Sequence, residues 1–191
     1  TVQYSTAGGQ AFYQCPSLKT LTFVPRSDGS KYVIGSNIFT NNPALTTVNI
    51  QANSARSLSY HAFYNCPKLS SVTLGEGILQ LANNVFEGCT ALTYLTIPAS
   101  VTSLAVGVSN AFSGCTNLDN ISVNSNNANY SSYAGVLYNK AQTALLCVPE
   151  GYTNLQGFPY TLTTISNFAF AHCKKITEQE IPCPAADGHL R

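Results

Sequence analysis

Residues 62–74, AFYNCPKLSSVTL, carry a pattern that decides the fold because it recurs along the chain. A small residue and a Phe are followed by Cys three positions after the Phe, and by apolar residues six, nine and eleven positions after it. Close copies of this frame occupy residues 11–23, 85–97 and 111–123. Such repetition predicts an array of similar structural units, and it must be understood before any local motif is interpreted.

The spacing of the anchoring Phe residues gives the period of the array. The intervals between successive anchors are 27, 24, 23, 26 and 58 residues, and the anchors are Phe12, Phe39, Phe63, Phe86, Phe112 and Phe170. Intervals of 23–27 residues fall within the 20–29 residue period of leucine-rich repeats. The last interval equals two repeats plus an insertion, which we place at residues 124–145. The sequence therefore predicts about seven turns, of which the sixth is degenerate.

Each repeat divides into two halves with different periodicity. The half that ends in Leu92-x-x-Leu95-x-Ile97 alternates apolar and polar residues, which predicts a short strand with one face inward. The half that contains Phe and Cys has apolar residues three apart, which suits a helical or 3-10 turn. Because a single unit cannot bury its own apolar face, stacking is required. We predict an α/β leucine-rich-repeat solenoid with a curved parallel β-sheet and short helical or 3-10 turns on the opposite side.

The repeat pattern also sets the expected domain organisation. Residues 1–182 form a single leucine-rich-repeat domain, and residues 183–191 form a tail that leaves the pattern and has the look of an expression remnant. Residues 146–149, LCVP, match LTIP at residues 95–98, so they should end the strand of the sixth turn. On this interpretation Leu145 and Cys147 point outward from the sheet, as the side chains at alternate positions do in other turns.

The low charge content limits the classes of partner. Apolar residues make up 45% of the 191 residues and charged residues only 9%, far below the ~25% of ordinary soluble domains. The formal net charge of +1 gives no electrostatic attraction to nucleic acids or anionic membranes. No apolar run approaches the ~20 residues that a bilayer-spanning helix needs. We therefore expect neither nucleic-acid binding nor membrane insertion.

The cysteines follow the repeat rather than a disulfide pattern. Five of the seven occupy the position three residues after Phe, and Asn42 occupies it in the second turn. An odd count at even spacing argues against a disulfide framework, and the absence of C-x-x-C or Cys/His clusters argues against a metal. We expect small buried side chains that donate weakly to backbone carbonyls, as an amide at Asn42 would. A disulfide between neighbours such as Cys66 and Cys89 is the alternative.

The titratable residues do not form a pattern that is typical of an enzyme. The three histidines are His61, His172 and His189, and no acidic residue recurs at a repeat position. Glu178 and Glu180 are two apart on the last predicted strand, so they point the same way along an exposed edge. Catalysis requires convergent acid, base or nucleophile groups. We therefore predict a protein that is not an enzyme and that has no catalytic residues, no metal and no cofactor.

The frame A-F-x-x-C-x-x-L-x-x-I-x-I-P resembles the BspA-like leucine-rich repeats of microbial surface proteins. Residues 130–140 followed by 145–151 are similar to the long repeat of that family. The resemblance covers about residues 11–182, with departures at Asn42, at Gln179 and in the sixth turn. It implies a location at the cell surface or secretion. It also implies adhesion to a host extracellular-matrix or cell-surface protein or glycan, or to another microbial surface.

Two surfaces are candidates for ligand binding. Solenoids commonly bind through the concave sheet. Its outward residues flank the second apolar residue of each strand, and we select Thr20, Thr22, Thr47, Asn49, Ser71, Thr73, Tyr94, Thr96, Asn120 and Ser122. The second candidate is the insertion, whose Asn, Ser and Tyr residues are the mixture that antibody paratopes use. Its ligand-binding residues would be Asn129, Tyr130 and Tyr133, and Asn129 also begins an N-glycosylation pattern.

These observations favour a non-enzymatic cell-surface or secreted adhesion module that recognises protein or glycan ligands through the concave sheet. The alternative is a purely structural spacer or stalk within a larger surface protein. Threonine on a strand is favourable for β structure by itself, so the polar face alone does not separate these two functions. A regular threonine array would also suit ice or crystal surfaces, but only Thr20-x-Thr22 fits such an array.

Overall fold

A computed structural model describes residues 10–153 and 157–177 of the chain. All regular elements in these ranges are short strands. They are β1 Thr20–Phe23, β2 Tyr32–Ile34, β3 Thr47–Ile50, β4 Ala55–Leu58, β5 Ser71–Leu74, β6 Gln80–Leu81, β7 Tyr94–Ile97, β8 Ser103–Leu104, β9 Asn120–Val123, β10 Tyr130–Tyr133, β11 Val136–Asn139, β12 Ala144–Cys147 and β13 Thr164–Ile165.

Two stacks of parallel strands run along the array. The first stack holds the strands that the sequence predicts, in a three-stranded sheet β1-β3-β5 and a two-stranded sheet β7-β9. β7 lies beside β5, although the two belong to separate hydrogen-bonded sheets. The second stack is the parallel sheet β2-β4-β6-β8, which lies upstream of each Phe. This arrangement is a solenoid of about six turns and confirms the predicted parallel repeat architecture. The predicted seventh strand, with Glu178 and Glu180, lies outside the described residues.

The core consists of ladders of identical positions from successive turns. The rings of Phe39 and Phe63 lie 5.4 Å apart between centroids with an interplanar angle of 7°, and Phe63 and Phe86 lie 5.7 Å apart at the same angle. Phe12 stacks on Phe39 at 5.1 Å. Central strand residues such as Leu95 are fully buried. Aromatic rings fill the width between the two sheets, since each buries a large apolar area and stacks favourably on its neighbour.

The prediction of helical or 3-10 turns is wrong, because residues 10–153 and 157–177 contain no helix. The chain turns instead through residues with left-handed backbone, which a right-handed helix excludes. In most turns the second residue before the Phe and the second after it have positive φ. Before the Phe they are Gln10, Asn37, His61, Asn84 and Phe168; after it they are Gln14, Asn41, Asn65, Gly88, Gly114 and His172. Asn and Gly tolerate this conformation best, which explains their frequency there.

Backbone hydrogen bonds between turns continue through these bends. The N–H of Phe39 donates to the carbonyl of Ala62 at 3.0 Å, and the N–H of Phe63 donates to Val85 at 2.9 Å. The N–H of Asn41 donates to the carbonyl of Tyr64 at 2.9 Å in the same way. Neighbouring turns are therefore joined by backbone hydrogen bonds in the bends as well as in the sheets. Buried backbone N–H and C=O groups require such partners.

The cysteine position forms a thiol-to-carbonyl ladder. The Sγ of Cys66 donates to the carbonyl of Phe39 at 3.3 Å, that of Cys89 to Phe63 at 3.2 Å, and that of Cys115 to Phe86 at 3.2 Å. The predicted donor role is therefore confirmed. The six cysteines within the described ranges are free thiols, so the disulfide between Cys66 and Cys89 does not form. Cys183 lies outside those ranges.

Asn42 replaces the thiol with a stronger set of hydrogen bonds. Its Nδ2 donates to the carbonyls of Phe12 at 2.9 Å and Phe39 at 2.7 Å, and its Oδ1 accepts from the N–H of Cys15 at 2.8 Å. The side chain is fully buried. A buried amide of this kind ties the first turn to the second.

Asn42→Ala should lower the free energy of unfolding by about 1–2 kcal/mol, because it removes the buried hydrogen bonds to Phe12, Cys15 and Phe39. Asn42→Cys should lose less stability than Asn42→Ala, since the thiol restores a hydrogen-bond donor toward the carbonyl of Phe12. Urea denaturation followed by circular dichroism measures both changes, with the exposed Asn83→Ala as the control. An Asn42→Ala protein as stable as the control would contradict this role.

The sixth turn differs from its prediction. The N–H of Ser166 donates to the carbonyl of Leu145 at 2.9 Å, just as that of Ser59 donates to Ile34 at 2.9 Å in the second sheet. β12 pairs in parallel with β13, which lies five residues before Phe170 as β6 lies before Phe86. β12 therefore occupies the register of the second sheet and not that of the first. The match between LCVP and LTIP was misleading because short apolar alternations fit either sheet.

The corrected register gives new positions to the side chains of the sixth turn. Leu145 is fully buried and Cys147 is 4% exposed, so neither points outward as predicted. The N–H of Val148 donates to the carbonyl of Ala169 at 2.7 Å, which is the hydrogen bond that Phe makes in other turns. Val148 thus replaces the Phe, and Gly151, three residues later, lies against the backbone of Asn117 and Leu118 in the fifth turn.

Candidate binding surfaces

The ten selected residues lie on the strands of the first stack, and we call the surface that they form the polar sheet face. All ten are exposed or half-buried; they are Thr20, Thr22, Thr47, Asn49, Ser71, Thr73, Tyr94, Thr96, Asn120 and Ser122. Strand register aligns them in two rows. One row contains Thr20, Thr47 and Ser71, and it continues after the break between β5 and β7 with Tyr94 and Asn120. The face contains hydroxyl, amide and phenol groups and no charge.

Tyr94 is the largest side chain on the polar sheet face. It is 51% exposed, and its hydroxyl forms a 2.6 Å hydrogen bond with Oγ1 of Thr96 on the same strand. This bond orients the ring along β7, so Tyr94 offers an aromatic surface with little rotamer freedom. It stands on the first strand after the break between β5 and β7. An exposed ring that is already ordered loses little entropy when a ligand covers it.

The insertion forms an antiparallel hairpin of β10 and β11 at the end of the polar sheet face. Its two turn residues, Ala134 and Gly135, have φ of 47° and 80°, as a tight hairpin turn requires. The N–H of Ile121 in β9 donates to the carbonyl of Gly135 at 2.9 Å, and that of Val123 donates to Oγ of Ser132 at 3.0 Å. The hairpin therefore adjoins the outer edge of β9. The two candidate surfaces are neighbours.

Contacts within the insertion give its three predicted ligand-binding residues different surroundings. Asn129 is exposed and Tyr133 is 41% exposed, so both are accessible. Tyr130 is half-buried, and its hydroxyl accepts a hydrogen bond from the N–H of Leu104 at 3.1 Å. The phenol of Tyr130 thus holds the hairpin against β8. Ligand binding by all three residues stays a prediction.

Sequence reasoning missed the residue that orders the insertion. Asn127 is fully buried, and its Nδ2 donates to the carbonyls of Pro98 and Val101, both at 2.9 Å. Its Oδ1 accepts from the N–H groups of Asn129 and Tyr130, both at 2.8 Å. An Asn that satisfies four backbone groups fixes the path of the chain into β10. Nothing in the sequence distinguishes it from the neighbouring Asn124, Asn126 and Asn129.

The titratable groups serve packing between turns. His61 lies between Tyr60 and Tyr64, and its Nε2 lies 2.9 Å from Oε2 of Glu87. Burial raises the pKa of the Cys66 thiol to about 11 and that of Cys147 to about 12. Thiols that stay protonated are poor nucleophiles. Within residues 10–153 and 157–177, no three His, Cys, Asp or Glu side chains are grouped to hold a metal.

The parallel strands, the stacked apolar ladders and the repeat period define the chain as a leucine-rich-repeat solenoid. The sequence matches the family described as BspA type leucine rich repeat region over residues 32–156 and 152–185, with six copies. The chain belongs to that family, which confirms the resemblance found in the repeat frame. A comparison with curated proteins gives no match.

Two solved structures share the fold at low sequence identity. A leucine-rich repeat protein from Eubacterium ventriosum is 23% identical over 76% of this chain and 44% of its own, with a TM-score of 0.58. The pneumococcal vaccine antigen PcpA is 20% identical over 85% of this chain and 50% of its own, with a TM-score of 0.55. The chain therefore spans about half the length of these proteins.

No helix in the part of the chain that the structure describes is long and apolar enough to cross a membrane.

Proposed function

We propose that this chain is a non-enzymatic adhesion module, displayed at the cell surface or secreted, that binds a protein or glycan through the polar sheet face. The observation that carries the proposal is Tyr94, an exposed aromatic ring held in place on an otherwise hydroxylated and uncharged sheet. Aromatic residues dominate the binding energy of many interfaces, and polar groups around them exclude water and give specificity. The family supports a surface location.

The hairpin extends the proposed binding surface beyond the last strand of the sheet. Tyr133 and Asn129 are accessible on this hairpin, which adjoins β9 through Gly135 and Ser132. A ligand that spans the sheet and the hairpin would contact two tyrosines, which are rigid and amphipathic anchors. The partners we propose are a host extracellular-matrix or cell-surface protein or glycan, or another microbial surface.

Tyr94→Ala should weaken binding to a partner found by screening about tenfold or more, because an aromatic anchor at the centre of an interface carries much of the affinity. The chain is first screened against a panel of host matrix proteins and glycans, and the affinity for each hit is measured by surface plasmon resonance. Tyr160→Ala is the matched control, since Tyr160 is 86% exposed and lies outside the polar sheet face.

An unchanged affinity in Tyr94→Ala, with the far-ultraviolet circular dichroism of the parent chain, would remove the polar sheet face from the proposal. A parallel variant that replaces Tyr133 by Ala tests the hairpin separately. Loss of affinity in Tyr160→Ala as well would mean that binding is nonspecific.

The alternative function is a structural spacer in a longer surface protein. The observation that favours it is the continuous buried core, with Leu45, Leu69, Leu92 and Leu118 fully buried in successive turns. A core of this kind makes neighbouring turns stabilise one another, and therefore makes the array stiff. A spacer would bind nothing in the screen described above, whereas an adhesion module would retain at least one partner.

A further inference from the structure

A second concave site lies on the bends of the first three turns, away from the polar sheet face. The groove has a volume of about 660 Å³, and its walls are Gln14, Pro16, Asn41, Pro43, Asn65 and Pro67. Each turn contributes one amide side chain, two residues after its Phe, and one proline, four residues after it. We call this site the proline–amide groove, and we propose that it binds an extended, uncharged oligosaccharide with one sugar ring at each turn.

The left-handed backbone of the bends creates the amide side of the groove. Gln14, Asn41 and Asn65 have φ of 51°, 58° and 53°. The Nδ2 of Asn65 donates to Oδ1 of Asn41 at 2.6 Å, so neighbouring amides are aligned. In the part of the chain that the structure describes, Nδ2 of Asn41, Oδ1 of Asn65 and the amide of Gln14 have no protein partner. The groove thus presents both donors and acceptors, and sugar hydroxyls require both.

The three prolines that line the groove provide apolar contact without charge. Pro16, Pro43 and Pro67 are exposed, and their rings present C–H surface at one position of three successive turns. In the proposed complex the C–H faces of the sugar rings would pack against these prolines, and the sugar hydroxyls would bond to the amides. The six lining residues include no Lys, Arg, Asp or Glu. An anionic or cationic ligand would find no ion pair there, which favours a neutral one.

The spacing of the turns distinguishes a glycan from a peptide. The Phe rings of these three turns are stacked at 5.1 and 5.4 Å, and we take this spacing of the turns as the repeat of the groove. A peptide strand advances ~3.3 Å per residue and places same-facing side chains at twice that distance. A polyproline II peptide advances ~3.1 Å. Neither spacing matches, whereas one pyranose ring of an extended β-linked chain spans about one turn.

The groove ends where the sequence changes. In the fourth and fifth turns Gly88 and Gly114 replace the amide residues, and Thr90 and Thr116 replace the prolines. Gly88 lies against the backbone of Asn65, where a Cβ would be 3.2 Å from Cα of Asn65. The groove thus holds about three sugar rings, one for each turn that has both a proline and an amide side chain.

Titration of the ¹⁵N-labelled chain with cellotetraose, followed by NMR, tests the proposal. The side-chain amide signals of Gln14, Asn41 and Asn65 should shift, while maltotetraose, which is an α-linked and curved chain, should leave them nearly unchanged. The titration is repeated with chitotetraose. The proposal would be overturned if neither cellotetraose nor chitotetraose shifted these signals, or if maltotetraose shifted them equally.

A double variant, Asn41→Gly with Asn65→Gly, removes both amides while glycine keeps the left-handed backbone. It should weaken cellotetraose binding about tenfold, because two hydrogen bonds are lost. Asn37→Gly is the matched control, since Asn37 has φ of 57° on the other side of the same bend. Equal weakening in both proteins would overturn the role of the groove. Tyr94→Ala should leave cellotetraose binding intact, so this proposal and the proposed function fail separately.

Discussion

Phe63→Ala should lower the free energy of unfolding by about 3–5 kcal/mol, the range found when a large aromatic side chain is removed from a core. Phe63 is fully buried and stacked between Phe39 and Phe86, with centroid distances of 5.4 and 5.7 Å. The substitution removes two ring contacts, each worth about 0.5–1.5 kcal/mol beyond the area buried. It also leaves a cavity in the middle of the ladder. No other single change in the third turn should have a larger effect.

The form of the unfolding transition should change together with its midpoint. In a repeat array, stability is a sum of the stabilities of the units and of the contacts between neighbours. Phe63→Ala weakens the third turn and its contacts on both sides, so the two ends should unfold less cooperatively. Urea denaturation measured by circular dichroism and by tyrosine fluorescence should show transitions that no longer coincide.

The control for this experiment is Phe168→Ala. Phe168 is 61% exposed, so its removal should change the stability by less than about 0.5 kcal/mol. If Phe63→Ala lowered the free energy of unfolding by less than about 1 kcal/mol, the stacked rings would contribute little to stability. The stability of the solenoid would then have to come from the sheets.

Gly151→Ala should lower the free energy of unfolding by about 3 kcal/mol, which is the upper part of the range for overpacking. A Cβ at Gly151 would lie 2.5 Å from the carbonyl carbon of Asn117 and 2.6 Å from the carbonyl oxygen of Leu118. These are backbone atoms, so no side-chain rotation relieves the overlap. The N–H of Gly151 also donates to the carbonyl of Leu118 at 2.7 Å, and separation would lengthen that bond.

The matched control is Gly35→Ala, because a Cβ at Gly35 meets nothing within 4 Å. Its thermal midpoint should equal or slightly exceed that of the parent chain, since alanine restricts the unfolded state. A Gly151→Ala protein with the same midpoint as Gly35→Ala would show that the sixth turn does not pack closely on the fifth.

The repeat frame was sufficient to predict the first sheet and the core ladders. Phe, Cys and the alternating strand residues keep fixed offsets through five copies, and only stacked turns bring equivalent positions together. The donor role of the Cys position was also predictable, because Asn42 at that position carries a strong donor. Periodicity of this kind is informative since the same physical environment is repeated in each turn.

The bends were not predicted, because the spacing of Phe and Cys is compatible with both a helix and a left-handed turn. A usable signal was present in the Asn and Gly residues two before or two after the Phe, such as Asn65 and Gly88. These residue types are poor in helix interiors and good at positive φ. The second sheet was missed because strands such as Gln80–Leu81 are too short to show alternation.

The prediction for the sixth turn was wrong for a different reason. Its hairpin and β12 lie where the period is interrupted, so only local resemblance remained as a guide. The side chains that determine the path there, such as Asn127, act through hydrogen bonds to residues far away in the sequence. The ligand-binding residues cannot be found by periodicity at all, because a solvated face and a binding face have the same alternation.

The thiol ladder has a consequence for the redox conditions under which the chain can fold. Each of Cys66, Cys89 and Cys115 is engaged with a carbonyl of the preceding turn and fully buried. Folding within these turns therefore forms no covalent cross-link and needs neither an oxidoreductase nor an electron acceptor. The native state of these three turns should therefore be the same in reducing and in oxidising surroundings.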